Sequence, residues 1–307
     1  MSTIPTEGLF DAVVPMPDPA AQRRYAELVG LDEIKCELDL RAKLLLNPGR
    51  LLEWSRRHYR AVLPIVDRLR GRPPLFIFGG DIGTGKTTLA ETFADPLARS
   101  EGIPITLMSM SLSARGSGAV GEMTSLISQA FEAVKEEAPR GGTDSPRKAV
   151  VLLIDEGDAL AQSRELAQMH HEDRAGVNAL IRGVSHIDAE RRPVITVLCT
   201  NRLGVIDPAV RRRAAAIFEF RRPSLEQRLA VFRNALEGTG FGDEQLHALA
   251  EITGEDGRAY GFTYSDLTDR VLPALLLDAL PNDPLRFERA IEVVTRLEPT
   301  PPQGGEA

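Results

Sequence analysis

Residues 75–88, LFIFGGDIGTGKTT, decide the fold of this chain. The first five are apolar and form a run of the length of a buried strand. They lead into the pattern G-x-x-x-x-G-K-T, which runs from Gly80 to Thr87. Glycines in such a loop let backbone N–H groups surround a phosphate, and the helix that follows points its positive end at it. Because a strand precedes the pattern and a helix follows it, we predict a nucleotide-binding loop rather than a chance glycine-rich turn.

The motif predicts a role for each side chain of this loop. Lys86 is expected to reach the β- and γ-phosphates, and the Thr87 hydroxyl is expected to ligate Mg²⁺. The remaining contacts to the nucleotide are assigned to the rest of the loop and the start of the helix, at Gly80, Gly83, Thr84, Gly85 and Thr88. The expected cofactors are therefore ATP and Mg²⁺.

A second stretch, KAVVLLIDEGDAL at residues 148–160, ends an apolar run in three carboxylates, Asp155, Glu156 and Asp158. Carboxylates at the end of a buried strand are costly unless a cation meets them there. Parallel strands share the edge at which they end, so Asp155 is expected beside the phosphate loop, where it holds Mg²⁺ through water. Glu156 is placed to polarise the attacking water. For Asp158 we prefer the simpler interpretation, an acidic cap on the helix that follows.

Five short apolar segments predict a parallel α/β sheet, because helical segments separate them. They are LFIFG (75–79), PITLMSM (104–110), AVVLLI (149–154), PVITVLCT (193–200) and AAIFEF (215–220). After Pro223 the strands stop, and about four helical segments follow. We predict four parts along the chain: a flexible leader (1–22), a large α/β nucleotide-binding domain (23–222), a small all-α domain (223–297) and a disordered tail (298–307).

Composition narrows the classes of function. The chain has 307 residues, a net charge of −7 and 43% hydrophobic residues, which is typical of a soluble globular protein and argues against a dedicated nucleic-acid binder. Cys36 and Cys199 are isolated in the sequence and are expected to be reduced thiols. No apolar run approaches the roughly 18 residues that a membrane helix needs, and the first residues lack a signal pattern. We expect a cytoplasmic protein that does not bind membranes.

The motif DEGDAL (155–160), following the phosphate loop, resembles the corresponding motif of the AAA+ ATPases. The stretch TNRLGVIDPAVRRR (200–213) is similar to a segment of the same family, and the likeness extends from Glu27 to Leu297. This resemblance implies a P-loop NTPase fold of the AAA+ type, in which a five-stranded parallel sheet flanked by helices carries a small C-terminal all-α lid. ATP is then expected between the two domains.

The same resemblance assigns roles near the fourth strand. Asn201 is expected to orient the attacking water from the end of that strand. Arg212 and Arg213 are expected to be arginine fingers, which reach the ATP of a neighbouring subunit and offset charge in the transition state. Arg211 is interpreted as a solvated residue at the end of a basic helix. A catalytic group supplied by a neighbour implies a ring, expected to be a homo-hexamer.

Two glycines are assigned to the nucleotide base by the family likeness. GFTYSDL (261–267) looks like the signature that opens the lid helix beside adenine, and VGLDEI (29–34) matches the segment on the other side of the base. Gly261 and Gly30 would then act by close backbone approach. A turn or a helix cap explains each glycine almost as well.

A loop after the second strand grips the substrate in AAA+ rings. Most AAA unfoldases carry an aromatic-hydrophobic-glycine triplet there, whereas this chain has Ala119, Val120 and Gly121. A flexible and weakly apolar loop favours short or local remodelling over strong processive threading. This substrate pore loop is therefore a departure from the family pattern.

Within the family, the sequence most resembles the bacterial single-domain relatives of the pachytene-checkpoint remodellers, which pull at the N-termini of HORMA-domain proteins. The shared elements are the pair Ser111-Leu112 before the pore loop, a helix ending in Phe131 and the run VNAL at 177–180. Ser265 stands where the eukaryotic members carry a lid arginine, for which Arg270 is a nearby substitute. The bacterial relatives accompany HORMA proteins and cyclic-oligonucleotide synthases in anti-phage operons.

The resemblance implies ATP-dependent remodelling of a protein, with a HORMA-domain protein of an anti-phage signalling system as the expected substrate. Three alternatives stay open on the sequence. One is a general protein unfoldase or an activase of a single enzyme, of which the general unfoldase is weakened most by a pore loop without an aromatic residue. Another is a DNA-associated clamp or helicase loader, against which the acidic composition weighs. The third is a nucleotide-switched scaffold, which would bind a partner but release no remodelled product.

Overall fold

The structure is a computed structural model that describes residues 8–112, 122–138, 146–162, 172–255 and 258–302. The chain divides into two compact units, each assembled from several stretches of sequence. The first unit comprises Met1–Ala26, Glu33–Gly79 and Thr87–Glu219. The second comprises Glu27–Asp32, Gly80–Lys86 and Phe220–Ala307.

A six-stranded sheet forms the centre of the first unit. Its strands in chain order are β1 (Ala12–Met16), β2 (Leu75–Gly80), β3 (Ile105–Ser111), β4 (Ala149–Asp155), β5 (Val194–Thr200) and β6 (Ala216–Phe220). They lie side by side in the order β1-β3-β4-β5-β2-β6. Strands β3, β4, β5 and β2 pair in parallel, so they end at one common edge. Their nearly continuous apolar sequences agree with burial on both faces of the sheet.

The sheet has one strand more than the five that the sequence predicted. β1 pairs antiparallel with β3, with Ala12 opposite Ser109 and Met16 opposite Ile105. This strand lies inside residues 1–22, which were expected to form a flexible leader. Its sequence AVVPM is short and contains Pro15, which a sheet accepts at its edge but which argues against a central strand. The sheet is therefore mostly parallel, with one antiparallel strand at this edge in addition to the five that were predicted.

Helices connect the strands of the first unit. They are α1 (Pro19–Glu27), α2 (Asp32–Leu46), α3 (Gly49–Tyr59), α4 (Pro64–Arg70), α5 (Lys86–Thr92), α6 (Ala94–Glu101), α7 (Glu122–Glu137), α8 (Ala159–Gln162), α9 (Glu172–Ala189) and α10 (Pro208–Arg213). Phe131 of α7 and Leu180 of α9 join the buried core that covers β4. Gly183 permits this packing, because a Cβ there would lie 2.2 Å from the Phe131 ring. Within the described ranges, no helix has the length and apolar character needed to span a membrane.

The second unit is helical. Its elements are α11 (Leu225–Ala235), α12 (Asp243–Ile252), a π-helical turn (Asp266–Val271), α13 (Leu272–Ala279) and α14 (Phe287–Arg296). Phe232, Leu249 and Phe262 are completely buried in its core. A capping box starts α11, in which the Ser224 hydroxyl accepts from the Gln227 N–H and the Gln227 side chain accepts from the Ser224 N–H. Such a cap stabilises a helix by about 1 kcal/mol.

The start of the C-terminal tail is held by hydrogen bonds. Residues 298–307 were expected to be disordered, but the Thr300 N–H donates to Asp266 Oδ2 at 3.0 Å and the Thr300 hydroxyl donates to Asp266 Oδ1 at 2.7 Å. Asp266 itself is 1% exposed. The expectation of disorder is therefore wrong for the described part of the tail, which ends at residue 302.

Candidate active site

The phosphate loop of the second unit, Gly80–Lys86, closes on the carbonyl oxygen of Asp81. Lys86 Nζ donates to this oxygen at 2.6 Å, and Thr84 Oγ1 donates to it at 2.7 Å. Lys86 is only 5% exposed, so its ammonium group needs close acceptors. The loop thus presents the predicted lysine from a compact, internally bonded turn.

Two glycines are required for this shape. Gly80 has a φ of +152°, and a Cβ there would lie 2.0 Å from the carbonyl oxygen of Phe220. Gly83 has a φ of +72°, and its Cβ would lie 2.7 Å from the Thr263 hydroxyl oxygen. Any L side chain would be strained at either position and would collide with its surroundings. The structure therefore explains why the motif has glycine at these two places.

Thr87 and Asp155, the two residues predicted to hold Mg²⁺, meet in the first unit. Thr87 is the second residue of α5, Asp155 is the last residue of β4, and Thr87 Oγ1 donates to Asp155 Oδ2 at 2.8 Å. Asp155 Oδ1 accepts from the Glu156 N–H at 2.7 Å. Mg²⁺ prefers hard oxygen ligands and usually keeps several waters, with only one or two ligands from the protein. One hydroxyl and one carboxylate oxygen at this spacing fit that ion.

Glu156 lies directly after β4 in an unusual backbone conformation. Its φ is +56°, in the left-handed region that residues other than glycine seldom adopt. Its Oε2 accepts a hydrogen bond from the hydroxyl of Ser111, the last residue of β3. The Ser111 N–H in turn donates to Asp11 Oδ2 at 2.6 Å. The sequence did not indicate that Ser111 and Asp11 support the predicted catalytic carboxylate.

Asn201 follows β5 at the same edge of the sheet. Its N–H donates to Asp158 Oδ1 at 3.3 Å, and the Thr200 hydroxyl lies 3.5 Å from the same oxygen. Asp158 had been interpreted as a helix cap. Its contact with Asn201 joins the turn after β4 to the end of β5, so this carboxylate also supports the residue predicted to orient water.

The predicted arginine fingers lie on α10. Asp207 caps this helix by accepting from the Ala209 N–H at 2.7 Å, and the buried Val210 anchors it to the core. Arg211, Arg212 and Arg213 form its last turn and are all exposed. Basic residues at a helix C-terminus interact favourably with the helix dipole, and their exposed guanidinium groups are accessible to another molecule.

Gly30, one of the two glycines assigned to the base, has a crowded site in the second unit. Its carbonyl oxygen accepts from Gln227 Nε2 at 2.6 Å and from the Tyr264 hydroxyl at 3.4 Å. A Cβ at Gly30 would lie 2.7 Å from that hydroxyl. Burial raises the pKa of Tyr264 to about 12, so the hydroxyl remains protonated and able to donate. The structure gives Gly30 a reason to be glycine that the motif alone did not show.

Gly261 and the two candidate lid residues have other partners in the same unit. The Gly261 carbonyl oxygen accepts from Arg222 Nη1 at 2.5 Å. The Ser265 N–H donates to the Gly83 carbonyl oxygen at 3.0 Å, so Ser265 contacts the phosphate loop through its backbone. Arg270 pairs with Asp266 at 2.8 Å. The Arg270 side chain is 44% exposed and is engaged by the buried Asp266 carboxylate, which argues against it as a replacement for the missing lid arginine.

The substrate pore loop lies outside the described residues, and so do its members Ala119, Val120 and Gly121.

Comparison with known proteins decides the family. The model of the AAA family, the ATPases associated with various cellular activities, matches residues 76–222. CD-NTase-associated protein 6 of Escherichia coli strain MS 115-1 is 47% identical over 296 residues, which are 95% of this chain and 95% of that protein. The chain is an AAA-family ATPase.

Solved structures agree with this assignment. The ATPase is similar to a chain of the E. coli MS115-1 HORMA:CdnC:Trip13 complex, with a TM-score of 0.86 and 47% identity over 95% of this chain and 96% of that one. It is also similar to Rhizobiales Trip13, with a TM-score of 0.76 and 40% identity over 95% of this chain and all of the other. The predicted fold class and the resemblance to the HORMA remodellers are confirmed. C. elegans PCH-2, at 16% identity and a TM-score of 0.63, shares the fold of the ATPase.

Proposed function

We propose that this ATPase uses Mg-ATP to open or disassemble a HORMA-domain protein in a bacterial anti-phage signalling system. The observation that carries the proposal is the 47% identity to the chain of the HORMA:CdnC:Trip13 complex across 95% of this sequence. Hydrolysis of ATP is the activity of the AAA family. To this ATPase activity, the proposal adds the identity of the protein that is remodelled.

In the proposed mechanism, the second unit binds the phosphates. The backbone N–H groups of the loop and the Lys86 ammonium group hold the β- and γ-phosphates, and Gly80 and Gly83 keep the loop free of side chains. Thr87 and Asp155 would hold Mg²⁺, which neutralises charge on the phosphates when it is bound. Gly30 and Gly261 are proposed to lie against the base, with Thr84 and Thr88 completing the site.

The hydrolytic step depends on how the carboxylate of Glu156 is held. Glu156 polarises the attacking water and takes its proton, and the Ser111 hydroxyl fixes the orientation of the carboxylate. Asn201, whose backbone is held by Asp158, orients the same water from the end of β5. Because phosphoryl transfer requires little covalent help from the protein, positioning and charge account for most of the catalysis.

Assembly completes the proposed site. The exposed positions of Arg212 and Arg213 suit donation to the ATP of a neighbouring copy. The proposed assembly is a homo-hexamer, and the proposed location is the cytoplasm. Ala119, Val120 and Gly121 are proposed to contact the substrate in the centre of the ring. Without an aromatic side chain at this loop, a short pull that opens one domain is favoured over long threading.

A substrate trap tests this proposal. Tagged Glu156→Gln protein is loaded with ATP in its native host, and the proteins that co-purify only with ATP are identified by mass spectrometry. Loss of the carboxylate should leave ATP binding intact but slow hydrolysis about 100-fold or more, so the complex with the substrate accumulates. Lys86→Ala is the matched control, because a protein that cannot hold the phosphates should capture nothing.

The captured proteins distinguish the alternatives. A single small HORMA-fold protein supports the proposed substrate. A broad set of unfolded polypeptides would show a general unfoldase, and DNA with replication factors would show a loader. Normal hydrolysis by purified Glu156→Gln would remove that residue from the catalytic role.

A further inference from the structure

One arginine of the second unit bonds to three segments that are far apart in sequence. Arg222 follows β6, and its Nε and Nη2 both donate to Asp81 Oδ2, at 2.8 and 2.5 Å. Its Nη1 donates to the Gly261 carbonyl oxygen at 2.5 Å, and its Nη2 also donates to the Thr300 carbonyl oxygen at 2.7 Å. We call these four residues, Arg222, Asp81, Gly261 and Thr300, the Arg222 brace.

The brace acts on the phosphate loop through Asp81. The carbonyl oxygen of Asp81 is the acceptor for Lys86 and Thr84, while its carboxylate is held by Arg222. The side chains of Arg222 and Asp81 are 15% and 16% exposed, so their ion pair is largely shielded from water. A charge-assisted, two-pronged contact of this kind is among the stronger hydrogen-bonded arrangements in proteins. Arg222 therefore fixes the residue around which the loop closes.

The tail holds the other end of the brace. Thr300 donates twice to the buried Asp266, from its N–H and its hydroxyl, and its carbonyl oxygen faces Arg222. Burial alone would raise the pKa of Asp266, but hydrogen bonds from Thr300, from the Thr263 backbone and from Arg270 lower this pKa to about 2. Asp266 is therefore an anionic anchor at neutral pH, and Thr300 is fixed where Arg222 needs an acceptor.

We propose that Arg222 is a positioning residue for the nucleotide, and that the tail residues 298–302 act through it to hold the phosphate loop ready to bind. A loop with several glycines loses much conformational freedom when it is ordered, and pre-organisation reduces the part of this cost that binding must meet. The brace removes that freedom before ATP arrives. Removing the brace should therefore weaken ATP binding without affecting the chemistry of hydrolysis. The inference rests on nucleotide binding at this loop.

The test compares full-length variants by nucleotide affinity. Arg222→Met should raise both the Kd for a fluorescent ATP analogue and the KM for ATP about tenfold, while kcat at saturating ATP changes much less. Arg222→Lys keeps the charge but not the planar fork, so it should restore part of the affinity. A chain ending at Leu297 keeps the Arg222–Asp81 pair but loses the contacts of Thr300 with Arg222 and with Asp266, and its KM should rise about threefold. Arg296→Gln is the control, because the Arg296 side chain is 70% exposed and forms an ion pair with Glu292 on the same helix.

Melting temperatures distinguish a role of Arg222 in nucleotide binding from a role in the stability of the fold alone. If Arg222→Met lowers the Tm while KM measured well below that Tm is unchanged, the residue is only structural and the inference fails. An unchanged KM in the chain ending at Leu297 would overturn the role of the tail. Lys86→Ala is measured alongside: if it also retains full affinity, the nucleotide site itself has been misplaced. If only Lys86→Ala loses affinity for ATP, the nucleotide site is correctly placed and the proposed role of the Arg222 brace is wrong.

Discussion

Backbone conformation at a few residues sets the shape of the active site. Glu156 adopts a φ of +56°, which costs an L residue about 1 kcal/mol or more. The turn is supported on both sides, because the Gly157 N–H donates to the Cys199 carbonyl oxygen at 2.7 Å and the Ser111 hydroxyl holds the Glu156 carboxylate. The rest of the fold therefore maintains a local strain that orients the carboxylate proposed to be catalytic.

Gly80→Ala tests whether the phosphate loop needs glycine because the Phe220 backbone lies close to it, or only because glycine adopts a positive φ easily. Gly102 is the matched control, since its φ is +67° but a Cβ there would meet no atom within 4 Å. Gly102→Ala should cost about 1 kcal/mol of unfolding free energy, the cost of the conformation alone. Gly80→Ala adds a collision with the Phe220 backbone and should cost more than about 3 kcal/mol. Urea unfolding measures both, and equal losses would contradict the steric argument.

The site residues divide into those that the sequence predicted and those that it missed. Lys86, Thr87 and Asp155 occur in short motifs whose spacing is set by the loop and by a strand end, and local sequence shows such features. The supporting contacts join residues that are distant along the chain, by 45 positions for Ser111 with Glu156 and by 141 for Arg222 with Asp81. No local pattern encodes a contact of that kind, so only the folded structure shows it.

At the scale of elements, the predicted and observed strands agree best where the strand is buried. The predicted strands at 75–79, 149–154 and 193–200 differ from the observed bounds by one residue at one end, because a buried parallel strand is an uninterrupted apolar run. β1 was missed because an edge strand need bury only part of its surface: Met16 is 3% exposed, whereas Val13 is 53% exposed. Its five residues, one of them proline, resemble a loop.

Substitutions on the two faces of β1 test whether this strand is part of the folded core. Met16→Ala should cost about 2 to 4 kcal/mol, because it removes a buried side chain and leaves a cavity. Val13→Ala, on the exposed side of the same strand, should change stability by less than about 0.5 kcal/mol. Chemical denaturation of the two variants gives the comparison. If both substitutions have equal and small effects, β1 is not part of the folded core, and the prediction of a flexible leader is correct.

At the scale of the whole molecule, the proposed arginine fingers have no role in catalysis within a single copy. The last turn of α10 holds Arg211, Arg212 and Arg213 with all three side chains exposed, although the proposed reaction needs positive charge at the γ-phosphate. Within a single copy, the favourable interaction of these arginines with the helix dipole is enough to explain their exposed positions, whereas a role in catalysis needs the ATP of another copy. The arrangement is understandable if the active site is completed by a second copy.

Mixing of inactive variants tests this arrangement. Arg212→Ala alone should lower kcat about 1,000-fold or more, as the loss of an arginine finger does. Mixed with Lys86→Ala subunits, which bind no ATP but still carry Arg212, it should recover a measurable fraction of wild-type activity. Arg211→Ala is the control on the same helix and should remain active. Full activity of Arg212→Ala alone, or no recovery on mixing, would exclude donation between subunits.

The composition of β1 also bears on solubility. An outermost strand exposes unpaired backbone groups, on which another chain can add a strand and start an aggregate. β1 is only five residues long and includes Pro15, which has no N–H to offer. A short, proline-containing border is a poor template for such growth. Such protection at the edge of the sheet has particular value if the ATPase forms the proposed ring, because the copies must then associate without adding strands to one another.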